Sequence, residues 1–342
     1  MYGPSFWAFL LVACALAAFA SWTLTGVVRR ALVSWRLYDT PNARSSHTSP
    51  KPRGGGLALI PVIVAVWAGA AGWLGAAPAG FANVMAGAGA LAVVSWIDDV
   101  RGLPAAARLV AQAVAVAFGL MGLEAQGAFL GGFLPPVADR IVAGVLWLWF
   151  LNLFNFMDGI DGISGVEAIS LGTGLGLVGA LAAWPAAGVA LPVLLAAAAL
   201  GFLVWNWAPA KLFLGDVGSV PLGYLLGWLL VLGSLQGQWA AALILPLYYL
   251  ADASITLARR AARGAPVWHA HREHFYQRAV QGGASHARVC LFVLACNVVL
   301  IACAAGAARG HAWPALGIAG SAVGLLLVVL WRLGAKARGN GA

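Results

Sequence analysis

The chain opens with an unbroken apolar run, Phe6–Val28 (FWAFLLVACALAAFASWTLTGVV), which ends at Arg29 and Arg30. A helix that crosses a bilayer needs about 20 mainly apolar residues, so this run is long enough to span. No basic segment precedes it in the sequence. We therefore expect a retained first transmembrane helix rather than a cleaved signal peptide.

The composition of the whole chain agrees with this first run. Of the 342 residues, 62% are hydrophobic and only 9% are charged, whereas a soluble domain carries about 25% charged residues. This deficit excludes a soluble enzyme, a disordered protein and a fibrous protein, and it favours a polytopic membrane protein. The net charge of +9 then fits cytoplasmic loops that face anionic lipids or anionic substrates, and we expect no nucleic-acid partner. The four cysteines lie in apolar runs without metal-ligand spacing and are expected to be buried hydrophobic residues.

The apolar runs predict an all-α, polytopic membrane protein with about eleven transmembrane helices, in which residues 1–342 form a single catalytic domain. The predicted spans are 5–28, 57–76, 82–97, 105–123, 140–156, 163–182, 188–207, 219–234, 239–258, 287–306 and 312–331.

The charged residues orient these spans. With the N-terminus outside, the inside segments are 29–56, 98–104, 157–162, 208–218, 259–286 and 332–342. All lysines and arginines except Arg140 and Arg309 then lie in or beside an inside segment, as the positive-inside rule requires. We therefore predict an outside N-terminus and a cytoplasmic C-terminus. Only Glu124 and Asp139 among the acids fall outside, so the chemistry is expected at the cytoplasmic face.

The inside acids are concentrated in three short segments, which contain the pair Asp98-Asp99, Asp158 with Asp161, and Asp216. Carboxylates at membrane depth are costly and usually functional. Asp158 and Asp161 would share a face on a helical turn, and the adjacent acids at 98 and 99 call for a nearby cation. Hard oxygen ligands of this kind favour Mg²⁺, with Mn²⁺ as an alternative ion. The competing interpretation is that the acids are solvated helix ends or ion-pair partners of the arginine-rich loops.

Two inside loops carry the opposite charge. In the first, Arg44, His47 and Arg53 precede or adjoin a triple glycine at 54–56, and together they could hold phosphate through side chains and backbone N–H groups. The alternative for this loop is a simple topology signal.

The second basic loop holds three of the six histidines of the chain, His269, His271 and His274. Histidine carries protons near neutral pH and hydrogen-bonds phosphate. A zinc site is the rival, but the loop has no cysteine and no repeated i,i+4 histidine spacing. A membrane-embedded Mg²⁺ site between basic loops fits phosphoryl transfer, and a lipidic acceptor would explain its place in a membrane.

Five ordered motifs between Asp39 and Arg278 resemble the polyprenyl-phosphate N-acetylhexosamine-1-phosphate transferase superfamily, glycosyltransferase family 4. They include Asp98-Asp99, Asn152-x-x-Asn155-x-x-Asp158-x-x-Asp161, Asn206-Trp-x-Pro-x-Lys211-x-Phe213-x-Gly-Asp216 and the His271 loop. The stretches Pro41-Asn42-x-Arg44-Ser-Ser-His47, Pro52-Arg53-Gly-Gly-Gly and His271-Arg-x-His274 look most like the branch that initiates O-antigen synthesis.

The resemblance implies a reaction. A UDP-activated N-acetylated amino sugar would give its sugar-1-phosphate to undecaprenyl phosphate, with UMP as the second product and Mg²⁺ as cofactor. It also implies a bacterial plasma membrane, contact with membrane lipids, and a homodimer by analogy with other family members.

The resemblance also implies roles for individual residues. Asn155 and Asp216 would hold Mg²⁺, and Asp98 and Asp99 would lie near the lipid phosphate as base, metal ligand or positioning groups. Asp158 and His271 complete the catalytic set. The implied substrate-binding set is Arg44, His47, Arg53, Asn152, Asp161 at the uracil, Lys211, Phe213 stacking on the uracil, Arg272 and His274. Since a phosphate monoester has a second pKa of about 6, the acceptor hardly needs a base, which favours direct attack over a two-step route through an aspartyl-phosphate.

Two departures from the peptidoglycan branch bear on the donor. Gly102 stands where that branch has a lysine after its Asp-Asp pair, and the histidine loop lacks its run of consecutive histidines. Both disfavour a muramyl-peptide donor and leave N-acetylglucosamine and its 6-deoxy relatives.

Two other classes of function were weighed. A transporter or flippase for a polyprenyl-linked or anionic substrate would place its acids along a pathway at the bilayer midplane, whereas here they sit at predicted helix ends. A scaffold of a glycan-assembly complex would not need these acids together.

Overall fold

The computed structural model describes residues 2–41, 49–123, 127–265 and 271–339. Arg44, His47 and His269 therefore lie outside the described residues. The helices are α1 (Pro4–Ser34), α2 (Gly56–Leu74), α3 (Phe81–Arg101), α4 (Ala105–Met121), α5 (Pro136–Met157), α6 (Ile163–Leu181), α7 (Ala186–Asn206), α8 (Asp216–Gly233), α9 (Trp239–Ile244), α10 (Leu247–Ala262), α11 (Phe275–Gln281), α12 (His286–Ala308) and α13 (Ala312–Gly339). Two short antiparallel strands, β1 (Tyr38–Asp39) and β2 (Lys51–Pro52), form a hairpin between α1 and α2.

The prediction of an all-α polytopic membrane protein is confirmed. In the described part of the chain, nine helical stretches are long and apolar enough to cross a membrane. The sequence predicted about eleven, and two local features account for the difference. One is α4, which matches the predicted span at 105–123 but has only 17 residues. The orientation of the termini stays a prediction.

The second feature is a break after α8. A π-helical segment, Ser234–Gln238, has non-helical backbone at Gln236 and at Gly237, where φ is 81°. This kink separates α8 from α9, which by length and hydropathy alone would count as one stretch. The far end of α8 contacts the connection before α5, since Ser234 donates to the carbonyl of Phe129. The predicted span at 239–258 is divided between α9, with 6 residues, and α10, with 16, and α10 does not count as a crossing.

The interior is apolar, and α6 and α8 are its most enclosed helices. Trp147 of α5 stacks on Tyr224 of α8 at a ring distance of 4.9 Å and donates to the Tyr224 carbonyl at 2.9 Å. Trp67 of α2 donates in the same way to the carbonyl of Leu191 in α7, at 2.8 Å. Such pairing satisfies the indole N–H groups where water is excluded. The interior also holds one buried polar pair, in which Asn297 of α12 donates to Glu167 of α6 at 2.8 Å.

One end of the bundle gathers the polar motifs. There α3, α5 and α7 end, α6, α8 and α12 begin, and the β1–β2 hairpin lies between α1 and α2. At the opposite end, the buried carboxylate of Asp139 accepts the N–H groups of Phe129 at 2.6 Å and Leu130 at 2.8 Å. Asp139 thus anchors a loop of the far end.

Candidate active site

Three carboxylates meet where α3 ends and α8 begins. The two oxygens of Asp99 accept the N–H groups of Asp216 at 3.1 Å and Val217 at 2.9 Å. These donors lie in the first turn of α8 and have no partner within the helix. A carboxylate at this position also interacts favourably with the positive end of the helix dipole. Asp98 accepts the N–H of Leu103 at 2.6 Å. Asp99 therefore holds the start of α8 against the end of α3, and it thereby positions Asp216, the first residue of α8.

Two arginines neutralise these carboxylates. Nη2 of Arg53 lies 2.8 Å from Oδ1 of Asp99 and 2.6 Å from Oδ1 of Asp216. Nη1 of Arg108 lies 3.1 Å from Oδ2 of Asp98 and 3.8 Å from Oδ2 of Asp216. Burial works against the charged form of Arg53, but Asp216 and Asp99 outweigh it and raise the pKa of the guanidinium. The cation that the adjacent acids called for is thus supplied, in part, by the chain itself.

The triple glycine places Arg53 rather than exposing free N–H groups. The N–H groups of residues 54 and 55 donate to the carbonyl of Phe213 at 3.2 and 2.9 Å, and that of residue 56 donates to the carbonyl of Leu214 at 2.9 Å. Arg53 itself forms a parallel bridge with Phe213. The expectation that these backbone N–H groups hold phosphate is therefore wrong, because the segment before α8 already uses them.

This pairing demands small residues on both segments. A Cβ on Gly56 would lie 2.2 Å from the Cα of Gly218, so the two backbones touch. Gly215 has φ 75°, and a Cβ there would lie 2.9 Å from a carboxylate oxygen of Asp99 and 3.3 Å from Cγ of Arg53. Side chains rarely adopt that backbone conformation. The glycines therefore fix the distance between Arg53 and the acids.

Asn155 and Asp158 lie next to this acid cluster at the end of α5. Ser219 Oγ donates to Oδ1 of Asn155 at 2.6 Å, and Ser219 is one helical turn after Asp216 in α8. Burial raises the pKa of Asp158 to about 7, although the nearby Ser164 acts in the opposite direction. Asp158 can therefore hold or release a proton near neutral pH.

Asp158 and Asp161 do not share a helical face, because α5 ends at Met157 and α6 begins only at Ile163. That premise of the sequence reasoning is wrong. The carboxylate of Asp161 accepts the N–H of Ala210 at 2.9 Å and lies 3.4 Å from Nδ1 of His286. Burial opposes ionisation, but the bonds from His286 and Ala210 dominate and lower the pKa of Asp161. Asp161 therefore faces the α7–α8 connection and the start of α12.

The asparagines of the motifs serve different purposes. Oδ1 of Asn206 accepts the N–H of Gly162 at 3.0 Å, and its Nδ2 donates to the carbonyl of Leu212 at 3.0 Å. Asn206 thus ties the loop after α5 to the loop before α8. Asn152 is half-buried and donates to the carbonyl of Leu148, one turn earlier in α5, at 2.8 Å.

Lys211 lies at the surface rather than within the acid cluster. Its Nζ is 5.7 Å from the ring centroid of Trp205, and its carbonyl accepts the Nε–H of Arg29 at 3.2 Å. Phe213, two residues on, is half-buried and is held by the hydrogen bond from its N–H to the carbonyl of Pro52 at 2.9 Å. Its role at the uracil stays a prediction.

The histidine loop stands on a buried carboxylate that the motif reasoning missed. Asp252 of α10 accepts the N–H groups of Phe275 at 3.0 Å and Tyr276 at 3.3 Å. Its Oδ1 also lies 3.3 Å from Nδ1 of His274, whose side chain is only 2% exposed. Tyr276 in turn donates to the carbonyl of Phe156 at 3.2 Å. His274 therefore lies in the layer that supports the loop after α5.

His271 and Arg272 are more accessible than His274. Both side chains are half-buried. Burial, aided by the nearby His274 and Arg260, lowers the pKa of His271 to about 4. His271 is therefore neutral at neutral pH, and its Nδ1 accepts the N–H of Glu273 at 3.3 Å, which leaves the other ring nitrogen as a donor. Glu273 follows and forms ion pairs with three arginines, Arg260, Arg263 and Arg278.

Three residues in and around the site were not singled out from the sequence. They are Arg108, Asp252 and His286. Asp252 carried a usable signal, because an acid within a predicted span is costly and marks a structural or functional site. Arg108 and His286 carried none, since their partners Asp98 and Asp161 are brought close only by tertiary packing.

The described residues contain no group of three histidine, cysteine or acidic side chains arranged to hold a metal ion. Mg²⁺ commonly takes only one or two carboxylates and completes its shell with water and substrate phosphates. The donor chemistry of Asp216, with Asn155 and Asp99 beside it, fits that pattern.

Comparison with known proteins places this geometry in context. The profile described as Glycosyl transferase family 4 matches residues 81–234. The chain is 30% identical over 324 residues to the decaprenyl-phosphate N-acetylglucosaminephosphotransferase of Mycolicibacterium smegmatis, with 81% of this chain and 77% of the relative covered. It is 27% identical over 289 residues to the probable undecaprenyl-phosphate N-acetylglucosaminyl 1-phosphate transferase of Bacillus subtilis, with 77% of this chain and 75% of the relative covered.

A similarity of smaller extent links the chain to peptidoglycan enzymes. It is 30% identical over 178 residues to the phospho-N-acetylmuramoyl-pentapeptide-transferase of Moorella thermoacetica, with 50% of this chain and 51% of the relative covered. The relatives thus share an N-acetylated sugar phosphate in their names and differ in the sugar.

Proposed function

The chain belongs to glycosyl transferase family 4, and on this premise we propose that it transfers an N-acetylated amino-sugar-1-phosphate from a UDP-sugar to undecaprenyl phosphate. The observation that carries the proposal is the meeting of Asp98, Asp99 and Asp216 with Arg53 and Arg108 at one end of an apolar bundle. Acidic side chains can hold a metal ion and arginine side chains can bind phosphate. Such a site at a membrane surface suits two phosphorylated substrates, one of which is a lipid.

The location of the acids favours a transferase over a transporter. Asp98 and Asp99 lie in the last turn of α3, and Asp216 is the first residue of α8. A transporter would place its ionisable groups near the bilayer midplane. Because the basic residues concentrate at the same end, we propose that this face is cytoplasmic and that the membrane is the bacterial plasma membrane.

The proposed reaction is a direct displacement at phosphorus. An oxygen of the lipid phosphate attacks the β-phosphorus of the UDP-sugar and forms a new P–O bond. The bond between that phosphorus and the oxygen that bridges to the α-phosphate breaks, and its electron pair leaves with UMP. No proton has to move when the acceptor is a dianion, which is the major form at neutral pH because its second pKa is about 6.

The residues of the site suit this displacement. Arg53 and Arg108 lie beside the acids and can turn a guanidinium N–H toward phosphate oxygens, a geometry that arginine matches well. Asp158, whose pKa burial raises to about 7, can take the remaining proton from the monoanionic fraction of the acceptor at its carboxylate oxygen. Asp98 and Asp99 then act by position and charge rather than as general bases.

A divalent cation fits the same site. Asp216 and Oδ1 of Asn155 would hold Mg²⁺, or Mn²⁺ in its place, and the ion would supply positive charge to the diphosphate of the donor. Ser219 orients Asn155 for this purpose through its hydrogen bond of 2.6 Å. We assign Asp161, between α5 and α6, and Phe213, between α7 and α8, to the uracil of the donor. We assign His271 and Arg272 to its diphosphate or sugar.

For the donor we propose UDP-N-acetylglucosamine or a 6-deoxy relative. Two relatives with broad coverage carry N-acetylglucosamine in their names, and Gly102 replaces the lysine expected of a muramyl-peptide enzyme. The product would be the first lipid-linked intermediate of O-antigen or a related surface glycan.

A donor panel tests the proposal. Purified protein is incubated with undecaprenyl phosphate, Mg²⁺ and one UDP-sugar at a time, and UMP is measured together with the lipid product. UDP-N-acetylglucosamine or a 6-deoxy relative is expected to give UMP and the lipid-linked sugar in equal amounts. Failure of every UDP-sugar to release UMP would refute the assignment.

A further inference from the structure

Arg53 occupies a position at which its charge is shared by two acids. One nitrogen, Nη2, lies 2.8 Å from Asp99 and 2.6 Å from Asp216. The Asp99 side chain is 3% exposed, that of Asp216 is 18% exposed, and that of Arg53 is 36% exposed. The guanidinium therefore closes the acid pair from the solvent side.

The oxygens of Asp216 both face arginines. Oδ1 is paired with Arg53, and Oδ2 lies 3.8 Å from Arg108. Asp99, by contrast, also has its oxygens fixed by the N–H groups of Asp216 and Val217. A divalent cation that binds Oδ1 of Asp216 must therefore share or replace the contact with Arg53.

The backbone around Arg53 is held by backbone hydrogen bonds, whereas its guanidinium is held by two side chains, Asp99 and Asp216. Residues 54–56 are bonded to the carbonyls of Phe213 and Leu214, so the Cα of Arg53 cannot withdraw from the site. The side chain reaches the acids from the open side, and its exposed third gives the guanidinium a path toward a bound diphosphate. Arginine binds phosphate oxygens through two parallel N–H bonds, so such a turn exchanges one anionic partner for another.

We propose that Arg53 and a divalent cation compete for Asp216, and that Arg53 turns from Asp216 and Asp99 to the donor diphosphate when the cation binds. The inference rests on the proposed function for the identity of the diphosphate. The competition itself concerns only Arg53, Asp216 and a metal ion. Arg53 is then a charge that keeps the acid pair together before substrate arrives and a phosphate ligand afterwards.

The test measures metal binding without any substrate. Mn²⁺ binding to the purified full-length protein in detergent is followed by electron paramagnetic resonance, for the wild type and for Arg53→Met. Loss of the competing guanidinium is expected to tighten Mn²⁺ binding by roughly tenfold, which corresponds to about 1.4 kcal/mol. With Mn²⁺ saturating, the same variant is expected to bind UDP roughly tenfold more weakly, because a charged phosphate ligand is lost.

Two further variants keep the test decisive. Arg101→Met removes a positive charge from the exposed last residue of α3 and is expected to leave both affinities within about twofold, because exposed charges are strongly screened. Arg53→Lys keeps the charge on a single ammonium group that bridges the acids less well, and its Mn²⁺ affinity is expected between those of the wild type and Arg53→Met. It replaces Arg53→Met if the latter does not fold, as judged by its thermal unfolding midpoint.

Unchanged or weaker Mn²⁺ binding in a folded Arg53 variant would overturn the competition. Unchanged UDP binding in the same variant would contradict the proposal that Arg53 turns toward the diphosphate. Neither result depends on turnover, so failure of the donor panel to release UMP would refute the proposed reaction separately.

Discussion

Asp216 and Asp252 are both acids of a largely apolar bundle, yet their surroundings differ. Asp252 is fully buried and accepts two backbone N–H groups and the hydroxyl of Tyr248, the latter at 3.2 Å. These donors are fixed by the backbone or by packing, and a carboxylate with such partners serves the fold.

Asp216 faces two arginine side chains instead. Its carboxylate is 18% exposed and lies 2.6 Å from Arg53. Side chains can leave and a ligand can take their place, whereas backbone donors cannot. The comparison teaches that the partners of an acid, rather than its burial alone, separate a structural carboxylate from one that is available for chemistry.

The largest effect is expected at the available acid. Asp216→Asn keeps the shape of the side chain but removes the charge that would hold a cation, so kcat/KM should fall by at least about 100-fold. The thermal unfolding midpoint should stay close to that of the wild type. Sugar-phosphate transfer and unfolding are measured on the same preparation, with Asp39→Asn as a control at the nearby hairpin. Near-normal activity of Asp216→Asn would remove Asp216 from the site.

The structural acid should behave in the opposite way. Asp252→Ala leaves the N–H groups of Phe275 and Tyr276 buried without their acceptor, which costs roughly 2–4 kcal/mol of stability. The unfolding midpoint should fall, and the activity per folded molecule should change less than in Asp216→Asn. Asp252→Asn retains one carbonyl acceptor and should recover part of the loss. A variant Asp252→Ala of normal stability but without activity would contradict the comparison.

A smaller effect is expected at Ser219, which touches a metal-site residue without being a ligand. Ser219→Ala removes the hydrogen bond to Asn155, and outer-shell contacts of this kind are worth roughly 10–100-fold in metal affinity or activity. We expect a rise of about tenfold in the Mg²⁺ concentration needed for half-maximal rate. Ser234→Ala, at the far end of α8, is the matched control and should leave the Mg²⁺ requirement unchanged. Equal Mg²⁺ requirements in the two variants would show that Asn155 does not take part in metal binding.

The smallest effect concerns His271 and pH. Its pKa in the folded protein is about 4, below the ordinary value of 6.5, so protonation is disfavoured in the folded state. As the pH falls from 6.5 toward 4, the unfolded state takes up a proton that the folded state does not, so the free energy of unfolding decreases. Above pH 6.5 the full stability is present. His271→Gln should therefore lose less stability than the wild type between about pH 6.5 and 5. Thermal unfolding at several pH values measures it, and identical slopes would show that His271 is not held neutral.

The sequence was sufficient for the class of fold and for the meeting of the acidic motifs at one end of the bundle. Apolar runs such as Phe6–Val28 and the clustered acids Asp98, Asp99 and Asp216 depend on composition and spacing alone. The sequence could not show that the N–H groups of residues 54–56 form hydrogen bonds with the segment before α8. These two segments are far apart in the sequence, and only tertiary packing pairs them.

Helix boundaries explain the other differences. The i,i+3 relation of Asp158 and Asp161 suggested one face, but α5 ends at Met157, before both of them, and a short Gly-rich turn sends the two carboxylates to different partners. The break after α8 was visible in the sequence, because the polar stretch 234–238 (SLQGQ) separates the predicted spans 219–234 and 239–258, and Gly237 turns the chain there. Local backbone conformation, which hydrophobic pattern does not report, decided the case of Asp158 and Asp161.

The central claim is that a sugar together with one phosphate moves to the lipid. The most direct test uses UDP-N-acetylglucosamine labelled in the β-phosphate, with undecaprenyl phosphate and Mg²⁺. The account predicts that the label enters the lipid fraction in step with the sugar, while UMP without label stays in water. Label that remains in a water-soluble nucleotide while the sugar enters the lipid would show cleavage of the sugar–phosphate bond instead, and would contradict the account.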